Sequence, residues 1–583
     1  MTLTYDEAVA QVVAPGQLFE VAEAEVLGVP QRVFRHAPAT LRDLFQLARG
    51  HGERTFLVYE DERWSFAEVM AAVDGFAAAL VDRYGIGRGD RVAIGMRNYP
   101  EWVVAFAAVT SVGAISVSLN AWWTEDELAF ALEDCGARVL VADRERVERT
   151  RGICSRLGVR VVGVRLPAGN REPAGNSEPV GNSEPAGVGE PRIDRWEDVV
   201  ERGAPLPDVA VGADDDATIL YTSGTTGRPK GAVSTHRAIT QALFGFAARS
   251  AVERVRRAAR TPVPDAGATD GSPASQAFIL IVPLFHVTGC VPVMLACFGL
   301  GMKLVMMYRW EPERALELIQ RERVTAFVGV PTQSWDLLES PRFADFDTSS
   351  LRSIGGGGAP APPALVHRVA DAFRSGSPTI GYGMTETNAF GPGNTGDDYV
   401  THPTSTGRAG PTMQVSIRDP LGHELPVGRS GEIWLKGPNL IRGYWNRPDA
   451  TAEALVDGWM RTGDLGHLDD EGFVYVEDRI KDMILRAGEN VYSAEVEAAI
   501  YEHPAVYEAA VFGVPHERLG EEVAAVVVTK PGVELAAADL QAFVGERLAS
   551  FKVPTRVAVV SEPLPRNAAG KVLKRELRTA FGA

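Results

Sequence analysis

The chain has 583 residues, of which 45% are hydrophobic, enough to build several large buried cores. Its 76 acidic side chains outnumber the 59 basic ones and give a formal net charge of −17, which argues against a general affinity for nucleic acid or anionic membranes. The first residues, MTLTYDEAVAQVV, lack the basic segment and long apolar core of a secretion signal. Composition therefore favours a globular, cytoplasmic protein with no nucleic-acid partner.

Two uncharged stretches, 103–124 and 287–302, are the candidates for a membrane span. The first carries several Thr, Ser, Gly and Asn residues, and the second stops at Lys303, short of the ~20 residues that a spanning helix needs. We therefore expect no transmembrane segment. Peripheral membrane contact stays open, as does the choice between a monomer and a homodimer.

The first several hundred residues alternate helical and extended patterns. Apolar residues recur at helical spacing in 66–84, residues 91–95 are typical of a short strand, and helical spacing returns in 101–112. This alternation predicts an α/β fold in which helices cover the faces of sheets.

Residues 167–191 repeat a six-residue unit, PAGNRE, PAGNSE, PVGNSE and PAGVGE. A hexapeptide β-helix is one interpretation, but these few copies lack the regular large aliphatic residue that such a core needs. Proline, glycine, asparagine and glutamate instead favour a flexible surface insertion.

Residues 221–230, YTSGTTGRPK, follow a strand-like run and combine two glycines, several hydroxyls and a lysine. Gly224 and Gly227 allow a sharp turn and a close approach to a ligand. Pro229 stands where a Walker A loop has glycine and provides no amide donor, so a Walker geometry is excluded. The segment predicts a polyphosphate cradle whose polar groups are Thr222, Ser223, Thr225, Thr226 and Lys230.

Five further motifs follow in order: GGGGAP at 355–360, GYGMTET at 381–387, WMRTGD at 459–464, DRIKDMI at 478–484 and PRNAAGK at 565–571. Together with the cradle they resemble the signature motifs of the adenylate-forming superfamily. The run LNAWWT at 119–124 and the matching along most of the chain are most similar to bacterial medium- and long-chain fatty acyl-CoA synthetases.

The resemblance implies an ATP site with Mg²⁺ and a catalytic lysine. Tyr382 would offer an aromatic face to adenine, Asp464 would accept the ribose hydroxyls, and Glu386 with Thr225 would hold the metal. The implied catalytic residues are Lys571, Glu386, Thr385, His286 and Lys230. The implied nucleotide-binding residues are Thr222, Ser223, Gly224, Thr225, Thr226, Gly227, Lys230, Gly358, Ala359, Pro360, Tyr382, Gly383, Met384, Thr385, Glu386, Asp464, Arg479 and Lys571.

The same resemblance divides the chain into a large adenylation domain of several subdomains, residues 1–478, and a small mobile α+β domain, residues 479–583. The small domain would carry Lys571 and swing about a hinge at Lys481, because one lysine cannot stay over the anhydride while a thiol enters. After that rotation Gly488, Glu489 and Asn490 would face coenzyme A.

The acyl pocket is implied to include His286, Val328, Gly329, Gly357 and Gly381. His286 occupies the position where peptide-synthetase adenylation domains commonly have aspartate, which argues against an amino-acid substrate. The predicted reaction joins a carboxylic acid, preferably a medium- or long-chain fatty acid, to AMP with release of pyrophosphate and then transfers the acyl group to coenzyme A. The alternatives are an aryl or sterol-derived acid, a carrier-protein acceptor, and a nucleotide-binding scaffold without activity.

Overall fold

The computed structural model describes residues 3–167, 192–222, 229–260, 276–359, 361–373, 376–487, 489–566 and 572–581. The predicted repeat insertion lies outside the described residues except for Pro167. Among the described helices, none combines the length and apolar character needed to cross a membrane.

The strands, in chain order, are β1 (Val21–Val26), β2 (Val29–Phe34), β3 (Thr55–Tyr59), β4 (Glu62–Ser65), β5 (Arg91–Gly95), β6 (Ile115–Ser118), β7 (Val139–Asp143), β8 (Arg160–Val164), β9 (Ile193–Arg195), β10 (Asp216–Thr222), β11 (Lys230–Thr235), β12 (Ala277–Leu280), β13 (Lys303–Met306), β14 (Ala326–Gly329), β15 (Ser353–Gly357), β16 (Ser377–Gly381), β17 (Gly393–Thr395), β18 (Gln414–Arg418), β19 (Gly431–Lys436), β20 (Gly443–Tyr444), β21 (Leu455–Val456), β22 (Trp459–Leu468), β23 (Val474–Arg479), β24 (Ile484–Arg486), β25 (Glu489–Val491), β26 (Val506–His516), β27 (Gly520–Thr529) and β28 (Arg556–Val560).

The α-helices are α1 (Tyr5–Val12), α2 (Leu41–Ala48), α3 (Phe66–Asp82), α4 (Pro100–Ser111), α5 (Glu125–Cys135), α6 (Arg144–Leu157), α7 (Trp196–Val199), α8 (His236–Arg260), α9 (Ala296–Leu300), α10 (Pro312–Glu322), α11 (Pro331–Glu339), α12 (Pro363–Ala372), α13 (Asp397–Thr401), α14 (Pro448–Ala454), α15 (Ser493–Tyr501), α16 (Ala537–Gly545) and α17 (Lys574–Ala580). The predicted helices at 66–84 and 101–112 and the strand at 91–95 are confirmed.

Local sequence explains where several of these helices begin. Ser65 precedes α3 and Thr124 precedes α5, and each hydroxyl accepts a hydrogen bond from the backbone N–H three residues on. The glutamate at that third position returns a bond to the capping residue, so two otherwise unpaired amides are satisfied at once.

Two eight-stranded sheets form the large domain, with strand orders β20-β11-β10-β6-β5-β7-β8-β9 and β17-β16-β15-β14-β12-β13-β3-β4. Their central strands run parallel, and β7 is buried along its whole length, as expected for a sheet covered on both faces. A core that includes Trp102 and Phe106 of α4 and Phe298 of α9 extends across both sheets. A third, antiparallel sheet contains β18, β19, β21, β22 and β23.

The last hundred residues form a separate small unit. The strands β24 to β28 make one five-stranded sheet. Two apolar clusters belong to it, one around Val511 and Leu540 and the other around Phe512 and Leu577. The predicted combination of a large α/β domain with a small α+β domain is confirmed, whereas a boundary between residues 478 and 479 stays a prediction.

Candidate active site

Most of the described residues predicted for the site line one cleft between the two domains. The carboxyl ends of β15 and β16 form its floor, where Gly357 and Gly381 lie side by side in parallel register. This edge of a parallel sheet is where α/β folds bind ligands. The described residues of the predicted nucleotide site that line this cleft are Thr222, Lys230, Gly358, Ala359, Tyr382, Gly383, Met384, Thr385, Glu386, Asp464 and Arg479.

Tyr382, Asp464 and Arg479 form a hydrogen-bonded chain at the cleft wall. The Tyr382 hydroxyl donates to Asp464 Oδ2 at 2.5 Å, and Arg479 Nε lies 3.2 Å from Asp464 Oδ1. β22 and β23 set this arrangement, because Asp464 and Arg479 are paired across the two antiparallel strands. Burial, with the Asp464 charge, raises the pKa of Tyr382, so its hydroxyl stays a donor. An aromatic face, a carboxylate and a guanidinium together suit a nucleoside phosphate.

Glu386 is a buried carboxylate at the same cleft. It lies in a 3₁₀ turn, Thr385–Thr387, after β16, and its Oε1 accepts a 2.8 Å hydrogen bond from the Tyr444 hydroxyl. Burial raises the pKa of Glu386, while the Tyr444 hydrogen bond and the charges of Arg479 and Lys230 oppose that rise.

The donor set around Glu386 fits Mg²⁺. No group of three or more His, Cys, Asp or Glu side chains within the described ranges could by itself enclose a metal. A single carboxylate that shares the ion with phosphate oxygens and water is the arrangement Mg²⁺ prefers. Thr225, the second expected ligand, is outside the described residues.

The ends of the predicted phosphate cradle are held together by strand pairing. Thr222 at the end of β10 is the antiparallel partner of Lys230 at the start of β11, and its hydroxyl donates to the Lys230 carbonyl at 3.4 Å. Ser223, Gly224, Thr226 and Gly227 lie outside the described residues, as does Pro360.

Lys571 also lies outside the described residues, but both flanks of its loop are described. Arg566 and Val572 form an isolated antiparallel bridge, which brings the ends of the loop together. Both residues line the interdomain cleft. The loop therefore starts and ends at the cleft that contains Glu386 and Asp464.

His286 lines the cleft in a loop between β12 and a π-helical turn, Gly289–Leu295. Burial lowers the pKa of His286 to about 4, so the ring is neutral near pH 7. Its Nδ1 accepts a hydrogen bond from the Thr288 N–H at 3.3 Å. In a neutral ring the hydrogen must then reside on Nε2, which makes Nε2 a donor for a carboxylate oxygen.

The remaining residues predicted for the acyl pocket, Val328, Gly329, Gly357 and Gly381, line the same cleft. Gly381 faces open space, since a Cβ placed there would meet nothing within 4 Å. Gly329 is tightly packed, since its Cβ would lie 2.5 Å from Gln333 Oε1. The cleft is also bordered by an apolar set contributed by α8, the π-helical turn and α9: Leu243, Phe244, Phe246, Pro292, Leu295 and Leu300.

Lys481 lies in the turn between β23 and β24, and burial and the neighbouring Arg479 charge lower its pKa. Three residues before it, Asp478 accepts hydrogen bonds from the backbone N–H and the hydroxyl of Ser493 in the small domain. Glu489 and Asn490 are exposed on β25 and are not among the cleft-lining residues, whereas Gly488 is outside the described residues.

Sequence reasoning missed two residues that organise the site. Tyr444 contacts Glu386, and Asn98 fixes the loop before His286 by accepting from the Leu284 N–H and donating to the Val282 and Met307 carbonyls. Neither residue lies in a motif that we singled out. Asn98 follows a buried strand end, as site residues of parallel sheets often do, and this was the available signal.

The sequence profile described as AMP-binding enzyme matches residues 44–445, and that of the AMP-binding enzyme C-terminal domain matches 495–571. A feruloyl-CoA synthase of Amycolatopsis sp is 36% identical over 89% of this chain and 94% of its own length. The long-chain-fatty-acid–CoA ligase FadD13 of Mycobacterium tuberculosis is 33% identical over 90% of this chain and 94% of its own. The crystal structure of ATP-bound MatB from Rhodopseudomonas palustris superposes with a TM-score of 0.76 at 30% identity, covering 92% of this chain and 99% of that one.

These matches confirm the expected type of enzyme, an adenylate-forming acid–CoA ligase. They leave the individual acid unspecified. With profiles that match most of its length, the chain belongs to the AMP-binding enzyme family.

Proposed function

We propose that the protein uses ATP to convert a medium- or long-chain fatty acid into an acyl-AMP and then transfers the acyl group to coenzyme A. The observation that carries this proposal is the composition of one cleft. One part of the cleft contains Glu386 and the side chains predicted to bind the nucleotide, Tyr382, Asp464 and Arg479. Another part is lined by apolar residues of α8 and α9. A phosphate-bearing molecule and an aliphatic chain can therefore bind in the same cleft.

In the first step the acid's carboxylate attacks the α-phosphorus of ATP, and pyrophosphate leaves. His286 would orient the carboxylate through its Nε2–H, and Lys230 would face the departing phosphates. Lys571 would supply positive charge to the carboxylate and the α-phosphate. Glu386 and Thr225 would hold Mg²⁺, which would supply positive charge to the leaving pyrophosphate.

In the second step the thiol of coenzyme A displaces AMP. Glu489 and Asn490 are exposed away from the cleft in the present arrangement. Rotation of the small domain about Lys481 would bring their strand to the cleft and remove the Lys571 loop. Residues 488–490 would then face coenzyme A, as the sequence resemblance implies.

The decisive experiment measures pyrophosphate release with a panel of fatty, aryl and sterol-derived acids, with and without coenzyme A. We expect release with fatty acids of medium or long chain, and acyl-CoA with AMP only when coenzyme A is present. Release with no acid in the panel would contradict the proposal and favour an inactive scaffold.

An aromatic acid is the second candidate. The relative named feruloyl-CoA synthase is 36% identical, and the cleft is bordered by Trp122 and Phe285, whose rings meet edge to face at 6.4 Å. A preference for aryl acids in the panel would select this candidate. Replacing coenzyme A with a holo carrier protein in the same assay tests the other acceptor.

A further inference from the structure

Tyr444 contacts two predicted site residues that come from different motifs. Its hydroxyl donates to Glu386 Oε1 at 2.8 Å, and the Lys230 ammonium lies 5.1 Å from the centre of its ring. Tyr444 itself lines the cleft. One side chain therefore stands between the carboxylate expected to bind the metal and the lysine that ends the phosphate cradle.

The backbone fixes Tyr444 in this position. β20 is the edge strand that pairs with β11, with Tyr444 opposite Ala232, two residues after Lys230. The Tyr444 N–H donates to Thr451 Oγ1 at 2.9 Å. The preceding Gly443 has φ 154°, and a Cβ there would lie 2.6 Å from Thr451 Cγ2, so this close approach needs glycine.

The two contacts have different chemistry. The hydroxyl occupies Oε1 and so orients the Glu386 carboxylate, which leaves Oε2 to bind a cation. The ring face attracts the Lys230 ammonium through its quadrupole and draws it towards the same side of the cleft. The hydroxyl therefore orients the Glu386 carboxylate, and the ring attracts the Lys230 ammonium.

We propose that Tyr444 is a positioning residue that holds the Glu386 carboxylate and the Lys230 ammonium in the geometry that binds MgATP, an inference that rests on the proposed function. Hydrogen-bond partners that orient a metal-binding carboxylate contribute strongly to metal affinity. Loss of the hydroxyl should weaken the binding of MgATP. Loss of the ring should also weaken the binding of ATP without metal.

The test is calorimetric titration of the full-length protein with ATP, without any acid, in excess Mg²⁺ and separately in EDTA. Tyr444→Phe removes only the hydroxyl, and we expect its MgATP affinity to fall about 10- to 100-fold with metal-free ATP binding unchanged. Tyr444→Leu removes the ring as well, and in this variant we expect the metal-free ATP affinity to fall by about two- to fivefold.

Tyr84→Phe is the matched control. The Tyr84 hydroxyl also donates to a carboxylate at 2.8 Å, that of Asp194, but Tyr84 is not among the cleft-lining residues. Its ATP titrations should match those of the wild type in both conditions. Thermal unfolding of all variants checks that each is folded.

A double-mutant cycle with Glu386→Gln separates positioning from packing. If Tyr444 acts through Glu386, Tyr444→Phe should cause little further loss of MgATP affinity in the Glu386→Gln protein. Additive losses, or a Tyr444→Phe protein that binds MgATP like the wild type, would overturn the role of Tyr444. If MgATP binding depends on Tyr444 as expected but none of the acids in the panel causes the wild type to release pyrophosphate, only the proposed function is overturned.

Discussion

Single residues at the cleft differ in whether their neighbours leave room for a larger side chain. Gly381 and Gly329 are both predicted to line the acyl pocket, yet of the two only Gly381 borders open space. The sequence shows two glycines in similar settings and cannot tell these roles apart. The difference arises from Gln333 and Ile281, which approach Gly329 in the folded chain.

We predict that Gly381→Val shifts chain-length preference. Its side chain would project into the cleft, so the ratio of kcat/KM for long against short acids should fall about tenfold, which corresponds to about 1.4 kcal/mol. Gly329→Ala is the comparison, because its Cβ would lie 2.5 Å from Gln333 Oε1 and 2.8 Å from Ile281 Cδ1. That variant should lose about 1–3 kcal/mol of stability. An unchanged chain-length profile in Gly381→Val would contradict this placement of the pocket.

His236 gives a pH-dependent contribution to stability. It is completely buried, its Nδ1 accepts from the Leu41 N–H at 3.1 Å, and burial lowers its pKa to about 4 from 6.5. As pH falls below 6.5, His236 becomes protonated in the unfolded chain, whereas in the folded chain it stays neutral until about pH 4. Stability from this group is therefore complete above pH 6.5 and is lost progressively as pH falls towards 4.

His236→Asn should reduce that dependence, because an amide oxygen can accept the Leu41 N–H without titrating. Thermal midpoints of the wild type and the variant, measured at intervals from pH 7.5 to 5, check the prediction. The wild-type midpoint should fall more steeply than that of the variant. Parallel curves would show that His236 takes no part.

At the scale of elements, the sequence predicted the parts of the fold that have a period or a local signal. The alternation of 66–84, 91–95 and 101–112 predicted α3, β5 and α4, because burial of one face leaves a spacing in the sequence. Many of the described residues that were named from the motifs line the cleft, whereas Glu489 and Asn490 do not. Asn98 and Tyr444 were missed because each acts through partners far along the chain, such as Leu284 for Asn98 and Glu386 for Tyr444, and such contacts leave no spacing in the sequence.

Asn98 connects the two eight-stranded sheets, since it follows β5 of one and bonds to the loops after β12 and β13 of the other. We predict that Asn98→Ala unpairs the buried Leu284 N–H and releases the loop that carries His286. Stability should fall by about 1–3 kcal/mol. KM for the acid should rise while the KM for ATP stays constant, which steady-state kinetics will show. Equal increases in both constants would contradict a role confined to this loop.

At the scale of the whole molecule, a hydrogen bond joins the body of the small domain to the large one. The Tyr507 hydroxyl donates to Asp336 Oδ1 at 2.8 Å, and Trp310 Nε1 donates to the other carboxylate oxygen at 2.7 Å. Asp336 lies on α11 and Tyr507 on β26, so the bond cannot persist through a rotation that exchanges the faces of the small domain.

We predict that Tyr507→Phe makes it easier for the small domain to leave its present position against the large domain. Pyrophosphate release should slow by about 10- to 150-fold, in line with loss of a hydrogen bond to a charged group, while transfer from preformed acyl-AMP to coenzyme A should not slow. Tyr501→Phe is the control, because its hydroxyl bonds to Ala509 inside the small domain. Equal slowing of both half-reactions in Tyr507→Phe would contradict the prediction.

Lys481→Pro tests the hinge itself. Proline fixes φ at this turn, so we predict that acyl-AMP still forms and that acyl-CoA formation is abolished. Lys481→Ala keeps the backbone freedom and should support both half-reactions. Pyrophosphate release and thioester formation are measured in separate assays. Equal loss of both in Lys481→Pro would contradict the hinge assignment.

The position of β20 has a consequence for how the chain is made. This short strand covers the free edge of β11, with Val233 opposite Gly443 and Ala232 opposite Tyr444. On the ribosome, β10 and β11 can pair long before β20 has been synthesised. Until then β11 presents unpaired backbone groups that another nascent chain could join. Until the later segment has been made, β20 therefore cannot block association of the β11 edge with another chain.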